Sequence, residues 1–148
     1  MQKITFEDLP STNTSINATN LNQVQTNTEN AINGTILYNN TSGSNGTIQL
    51  SDSVSNYTYL EIYAKPNVAN YVPIVTKALI TGTTNYIYIS FATVDTSAVI
   101  YQKARVVEAT GTSISTYGSR YGQFFYNGSS SFSATNDVYI TRVIGYNN

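Results

Sequence analysis

The hydrophobic spacing of this chain changes period once, at Gly34, and that change divides it into a helical stretch and a β domain. Ile16 to Gly34 is the helical stretch. Asn17 is a good N-cap, because its side-chain oxygen accepts from free N–H groups of the first turn, and Ile16 and Leu21 stand at the two positions of a hydrophobic staple. Asn33-Gly34 ends the helix, since glycine takes the left-handed conformation after a C-cap without strain. Between these caps the apolar residues are few: Leu21, Val24 and Ala31, with Thr28 completing a 3-4-3 spacing and Ile32 beside it. A rod of roughly 23 Å with one narrow apolar stripe is marginal in water unless the stripe is covered. Two covers are open, the β domain that follows or further copies of the helix paired along the Leu21/Val24/Thr28/Ala31 seam. The absence of a broad apolar face, of the kind a globular core recruits, favours self-association.

Beyond Gly34 the alternation is twofold. Thr35 to Tyr38 and Thr47 to Leu50 read as short strands flanking Asn39 to Gly46, a loop of residues that tolerate turns. In Tyr57 to Lys65, Leu60, Ile62 and Ala64 face one way and Tyr57, Tyr59, Glu61, Tyr63 and Lys65 the other, as in a half-buried antiparallel strand. Tyr86 to Phe91 repeats the device, and Pro73 to Thr81, Ala98 to Ala109 and Val138 to Tyr146 complete the longer strands. Turn chemistry lies at Gly82 to Asn85 and at Gly111. Strands at this spacing with no helix between them predict a mainly β protein, an antiparallel β-sandwich or jelly-roll-like domain over 35–148. Residues 1–15 read as an arm: a strand-like piece from Lys3 to Phe6, then a Ser/Thr/Asn run too polar to pack. The arm is either a frayed terminus or a docking segment that orders on a larger assembly, anchored by Ile4, Phe6 and Leu9.

Composition removes several function classes. Neither cysteine nor histidine occurs, so disulfides, thiol nucleophiles, the usual zinc sites and the commonest general base are gone. No cofactor is expected. Seven basic residues spread along a chain of net charge −1 give little for tracking phosphates, so no nucleic-acid partner is expected. No apolar run approaches a bilayer-spanning length and no secretion signal opens the chain, so a soluble protein is expected. Only 10% of residues are charged, against about 25% in ordinary domains, leaving a surface of Asn, Thr and Ser that is nearly indifferent to salt and pH. A glycan hydrolase needs two carboxylates about 5 to 9.5 Å apart. Glu61 and Glu108 lie on expected strands, but nothing in the sequence pairs them. Asp52, Asp95 and Asp137 stand alone, and no loop has the acidic spacing that calcium requires.

Thirteen tyrosines, many at outward strand positions, leave more aromatic surface than a small monomer exposes. Either neighbouring subunits cover these faces or some rings stack on sugars, and coverage by subunits is the commoner use of tyrosine. The stretch most suited to recognition is Thr116 to Asn127, expected as a loop. Its glycines free the backbone while Tyr117, Tyr121 and Arg120 offer stacking faces and a fork of donors for a polar saccharide. The competing reading is a hairpin with its aromatics packed beneath it.

Two stretches carry a resemblance. Ile16-Asn-Ala-Thr-Asn-Leu-Asn-Gln23 resembles helix openings in tail, baseplate and fibre proteins of bacteriophages of Gram-positive hosts. Thr35 to Lys65 (TILYNNTSGSNGTIQLSDSVSNYTYLEIYAK), with the closing Ile140-Thr-Arg-Val-Ile-Gly-Tyr146, resembles the C-terminal β domain of phage fibre proteins, borne on head or tail. The resemblance implies a non-enzymatic homotrimeric fibre on the virion surface, made in the host cytoplasm. Its arm would meet capsid or tail proteins and its β domain would meet the host surface, including its glycans. The chain departs from long fibres in having almost no shaft. No ligand-binding residue carries over from the motif.

Overall fold

The computed structural model describes residues 18–68, 71–94, 99–126 and 130–147. The arm, with Ile4, Phe6 and Leu9, and the cap residues Ile16 and Asn17 lie outside the described residues. Helix α1 (Ala18–Asn33) ends where the sequence places its stop, and Gly34 has φ +69°. A Cβ at Gly34 would lie 2.5 Å from Ile144 Cγ2 and 2.7 Å from the Tyr146 ring, so this glycine also lets the chain leave the sheet at close quarters.

Nine strands follow among the described residues: β1 (Thr35–Ser44), β2 (Ile48–Gln49), β3 (Tyr59–Lys65), β4 (Ile74–Leu79), β5 (Thr84–Val94), β6 (Ile100–Thr110), β7 (Ser113–Tyr126), β8 (Ser130–Ser133) and β9 (Tyr139–Tyr146). They form two antiparallel sheets, one ordered β1-β9-β3-β4 and the other β2-β7-β6-β5 with β8 also paired to β7. The expected β-sandwich is therefore the observed fold. Its core is filled by alternate residues of both inner faces: Leu60, Ile62, Ala64, Ile140 and Val143 from the first sheet, and Ile87, Ile89, Val107, Ala109 and Ile114 from the second. At roughly 1.5–3 kcal/mol for each large aliphatic side chain buried, this core dominates the stability of the domain.

Three expectations are corrected. Asn39 to Gly46 is not a loop between strands, because β1 runs on through Ser44. Thr116 to Tyr126 likewise belongs to one long strand, β7, with β8 returning alongside it. Tyr57 does not face outward with Tyr59. It precedes β3, is buried, and its ring fills the space over Gly145, where a Cβ would come within 2.5 Å. Asp52 holds it there by accepting from the Tyr57 hydroxyl at 3.0 Å, from the Ser53 N–H at 2.7 Å and from Asn56 Nδ2 at 2.8 Å. The Ser53 backbone N–H, above all, keeps the Asp52 carboxyl below the usual carboxylate range.

Both mistaken loops are wide bulges. In β1, Asn39 pairs with Arg142 and Ser44 with Ile140, so residues 40–43 stand opposite the single residue Thr141. In β7, Thr116 pairs with Val107 and Tyr121 with Arg105, so residues 117–120 stand opposite Val106. Each bulge contains a glycine of positive φ, Gly43 at +78° and Gly118 at +55°. Across the β7 bulge the alternation changes phase, because Thr116 and Tyr121, five residues apart, pair with Val107 and Arg105 of the same inner face.

Candidate functional site

The inward phase of β6, set by Val107 and Ala109, also turns Arg105 and Lys103 into the sandwich. Arg105 is 1% exposed and has no carboxylate partner among the described residues. Its Nη2 donates to the Gly46 carbonyl at 2.9 Å and Nη1 to the carbonyls of Val138 at 3.2 Å and Ser44 at 3.4 Å, while Nε donates to Thr116 Oγ1 at 3.0 Å. One guanidinium thus ties the root of the β1 bulge to the root of the β7 bulge. Burial pushes its pKa down to about 10, which leaves it charged at neutral pH. Lys103 is paired with Asp137 and donates to Gln123 Oε1 at 3.0 Å, and Asp137 also accepts from the Asn67 N–H at 3.0 Å. The sequence held a signal for this cluster, since the β6 alternation puts positions 103 and 105 inside with 107 and 109. Read only as part of a scattered set of basic residues, they gave no hint of burial.

The β7 bulge overhangs the outer face of the second sheet. Ser90, Ala104 and Gly122 stand side by side across β5, β6 and β7. With strands about 4.8 Å apart, three small residues in line make a trench about 10 Å long across the sheet. Tyr88, Val106 and Arg120 line one side, Gln102 and Phe124 the other, and Phe132 of β8 lies over Gly122 at the end. The trench has a volume of about 510 Å³. Its walls are exposed, Tyr88 at 70% and Phe132 at 68%.

Of the residues singled out for recognition, Tyr121 and Arg120 line this trench. Tyr117 rises beside it, its ring 4.3 Å from that of Tyr86, with the Arg120 guanidinium 4.7 Å above the Tyr117 ring on centroid distances. The three side chains cluster at the rim, the two rings tilted by 45° to each other, and Arg120 forms no ion pair among the described residues. Desolvation, followed by the negative field of Glu108, raises the Tyr86 pKa. The residues that sequence reasoning missed are Tyr88, Ala104, Gly122, Phe124 and Phe132. The facing of Gly122 and Phe124 is visible only once Thr116 to Tyr126 is read as a strand.

The tyrosines of the first sheet are engaged differently. Tyr59 and Tyr146 stack at 4.7 Å, and Glu61 accepts from the hydroxyls of Tyr63 at 3.2 Å and Tyr146 at 3.1 Å while pairing with Lys77 at 3.3 Å. Glu61 is on the outer face of one sheet and Glu108 on the outer face of the other. The full thickness of the sandwich therefore separates them, and they cannot flank one glycosidic bond.

At Leu21, Val24 and Thr28 the helix seam is left exposed by this domain. Leu21 is 55% exposed and Val24 39%, Thr28 is exposed with its hydroxyl turned back to the Val24 carbonyl at 2.8 Å, and the side chain of Ala31 lies outside the described residues. Of the two covers open to the helix, packing on the chain's own sandwich is not the one used at Leu21 or Val24. No protein-family model matches the chain, and no curated protein matches it.

Proposed function

We propose that this chain is a non-enzymatic fibre protein of a phage particle, a homotrimer on the virion surface that helps attach the particle to its host. The arm meets capsid or tail proteins, the helix gathers three copies, and the sandwich points outward. The observation that carries this reading is the uncovered stripe of α1, with Leu21, Val24 and Ile32 all exposed on a helix whose own domain does not shield it. Burying Leu21 and Val24 against partner helices is worth roughly 1.5–3 kcal/mol per side chain, repeated in each copy. The likeness of Ile16 to Gln23 and of Thr35 to Lys65 to phage fibre segments supports the virion setting. Three copies per fibre would turn weak contacts at the outer faces into avidity.

The test is the absolute mass in solution by light scattering. A particle about three times the 16.2 kDa chain is the expected result, and Leu21→Asp with Val24→Asp should return it to the monomer. A monomeric wild-type protein would overturn the trimer. A second reading, a receptor-binding tip with a saccharide site, is favoured by the trench beside Arg120, whose flat aromatic walls suit sugar rings. A monomer that still bound glycan through Tyr88 and Phe124 would put that reading first, as a self-sufficient glycan-binding domain.

A further inference from the structure

The β1 bulge stands beside a second concavity, on the outer face of the first sheet and unrelated to the trench. Its volume is about 310 Å³, at the lower end of the range for ligand pockets and of a size for one small ring. Tyr63 and Tyr71 line it with aromatic side chains, Thr41 reaches it from the bulge, and Lys65 and Arg142 bring two positive charges. Neither cation has an ion pair among the described residues. The Arg142 guanidinium lies 5.8 Å from the centroid of the Tyr63 ring, and its Nε is buried with no hydrogen-bond partner among the described residues. A buried donor without an acceptor is costly, and a charged one more so, unless an acceptor arrives from outside. The acid on the same face, Glu61, is already engaged by Lys77, Tyr63 and Tyr146.

The local backbone explains why the pocket exists. Tyr63 of β3 pairs with Arg142 and Ala64 with Ile140, so Thr141 is an extra residue on β9, its hydroxyl donating to the Tyr63 carbonyl at 3.2 Å. The same residue faces the wide bulge of β1 on the other side. With β9 displaced on both flanks, the sheet opens next to Arg142. An arginine there offers a planar fork of donors, which matches a carboxylate or a phosphate in two-point contact.

We propose that this pocket binds one acidic sugar ring, its carboxylate or phosphate held by Arg142 and Lys65 and its ring lying against Tyr63 and Tyr71. The two charges without counter-ions among the described residues call for an oxyanion, the orphaned Nε calls for an acceptor, and the two aromatic side chains call for a partner with C–H groups to present. The inference concerns the isolated β domain and holds whether the chain is a trimer or a monomer.

The experiment is amide chemical-shift mapping on the full chain, titrated separately with galacturonate, glucose 6-phosphate, glucose and inorganic phosphate. At least one acidic sugar should move the amides of 39–43, 63–65 and 141–142 and leave 102–106 and 120–124 in place. Which of the two binds more tightly distinguishes a carboxylate source from a phosphate source. Arg142→Gln and Lys65→Gln should each weaken binding by about tenfold, as expected for the loss of one charge-assisted contact. Should Arg142→Gln fail to fold, Lys65→Gln carries the comparison. Silence from both acidic sugars, or shifts confined to the trench, would overturn the site. Equal binding of glucose would remove the role of the charges, and equal binding of free phosphate would remove the role of the ring; either result sinks the proposal.

Discussion

The two outer faces of the sandwich are built on one plan and finished in opposite ways. Each carries a four-residue bulge with a left-handed glycine, residues 40–43 on one sheet and 117–120 on the other, and each sets an arginine over a tyrosine nearby. On the first sheet the tyrosines are tied down, two of them through Glu61, and the hollow is lined by charge. On the second the aromatic walls stand free around a floor of Ser90, Ala104 and Gly122. The difference separates residues that hold the sheet from residues left over for contact. Exposed, unpaired aromatic surface is costly to keep in water, so the aromatic walls of the second face suit an apolar contact, whereas Lys65 and Arg142 on the first face suit an oxyanion.

The largest test of this comparison acts on both faces at once. Arg105→Ala removes the donor to Gly46 and Val138 and to the Thr116 hydroxyl, and leaves a cavity among residues that cannot collapse into it. A loss of about 3–5 kcal/mol is expected in urea unfolding at fixed protein concentration. Amide exchange at both bulges should quicken together. A loss confined to one bulge would show that Arg105 does not couple them.

The second test separates the bulges. A Cβ on Gly43 would meet Tyr139 Cβ at 3.0 Å and Thr141 Cγ2 at 3.2 Å, whereas a Cβ on Gly118 would meet nothing within 4 Å. Both glycines have positive φ, so alanine strains the backbone in either place. Gly118→Ala should therefore cost about 1 kcal/mol and Gly43→Ala about 2–3 kcal/mol, the excess coming from crowding against β9. Equal costs would mean that the β1 bulge is as loosely seated as the one on β7.

These glycines also show what the sequence could and could not reveal. The helix stop at Asn33-Gly34 and the inward set Leu60, Ile62 and Ala64 are local signals, and both are found where local chemistry puts them. Gly43 and Gly118 were equally visible, but a positive-φ glycine serves a turn between strands and a bulge within one strand alike. Only pairing with β9 and β6 decides between them. That choice hid β7 as a strand, and with it the in-line floor of the trench. Gly122 is a different case: its need for glycine comes from the Phe132 ring 2.6 Å from where a Cβ would sit, a contact across strands that no local pattern carries. Tyr117, Arg120 and Tyr121 could be singled out because their chemistry was suggestive in any backbone. Phe124 could not, because its facing depends on β7 being a strand, and Tyr88, whose outward position the local alternation gives, could be tied to this site only by the order of the sheet.

A third test uses the engaged tyrosines. Desolvation, then the hydrogen bond to Glu61, raises the Tyr146 pKa from 10.0 to about 12, and desolvation with the charge of Glu61 raises that of Tyr63 as well. A raised folded-state pKa favours the neutral phenol, so its contribution to stability is complete below pH 10 and is lost as pH rises through about 12. Unfolding free energy measured from pH 9 upward should fall across this window, and Tyr146→Phe should flatten the fall. An unchanged slope in Tyr146→Phe would mean that the loss arises elsewhere, with Tyr86 at the trench rim the next group to examine.

The smallest effect expected is the most diagnostic for the trench. Arg120 is exposed, has no ion pair among the described residues, and touches the fold through its position over Tyr117, which itself rests on Tyr86. An exposed cation over a ring is worth about 0.5–1 kcal/mol, and solvent screening takes part of that away. Arg120→Ala should therefore shift stability by no more than about 0.5 kcal/mol while Tyr117 keeps its contact with Tyr86. A loss above about 1.5 kcal/mol would place Arg120 among the groups that hold the sheet, and the contrast between the two faces would disappear. Near-neutrality would leave Arg120 as a charge held at the edge of an aromatic trench with no structural task, which is the condition expected of a residue reserved for a partner.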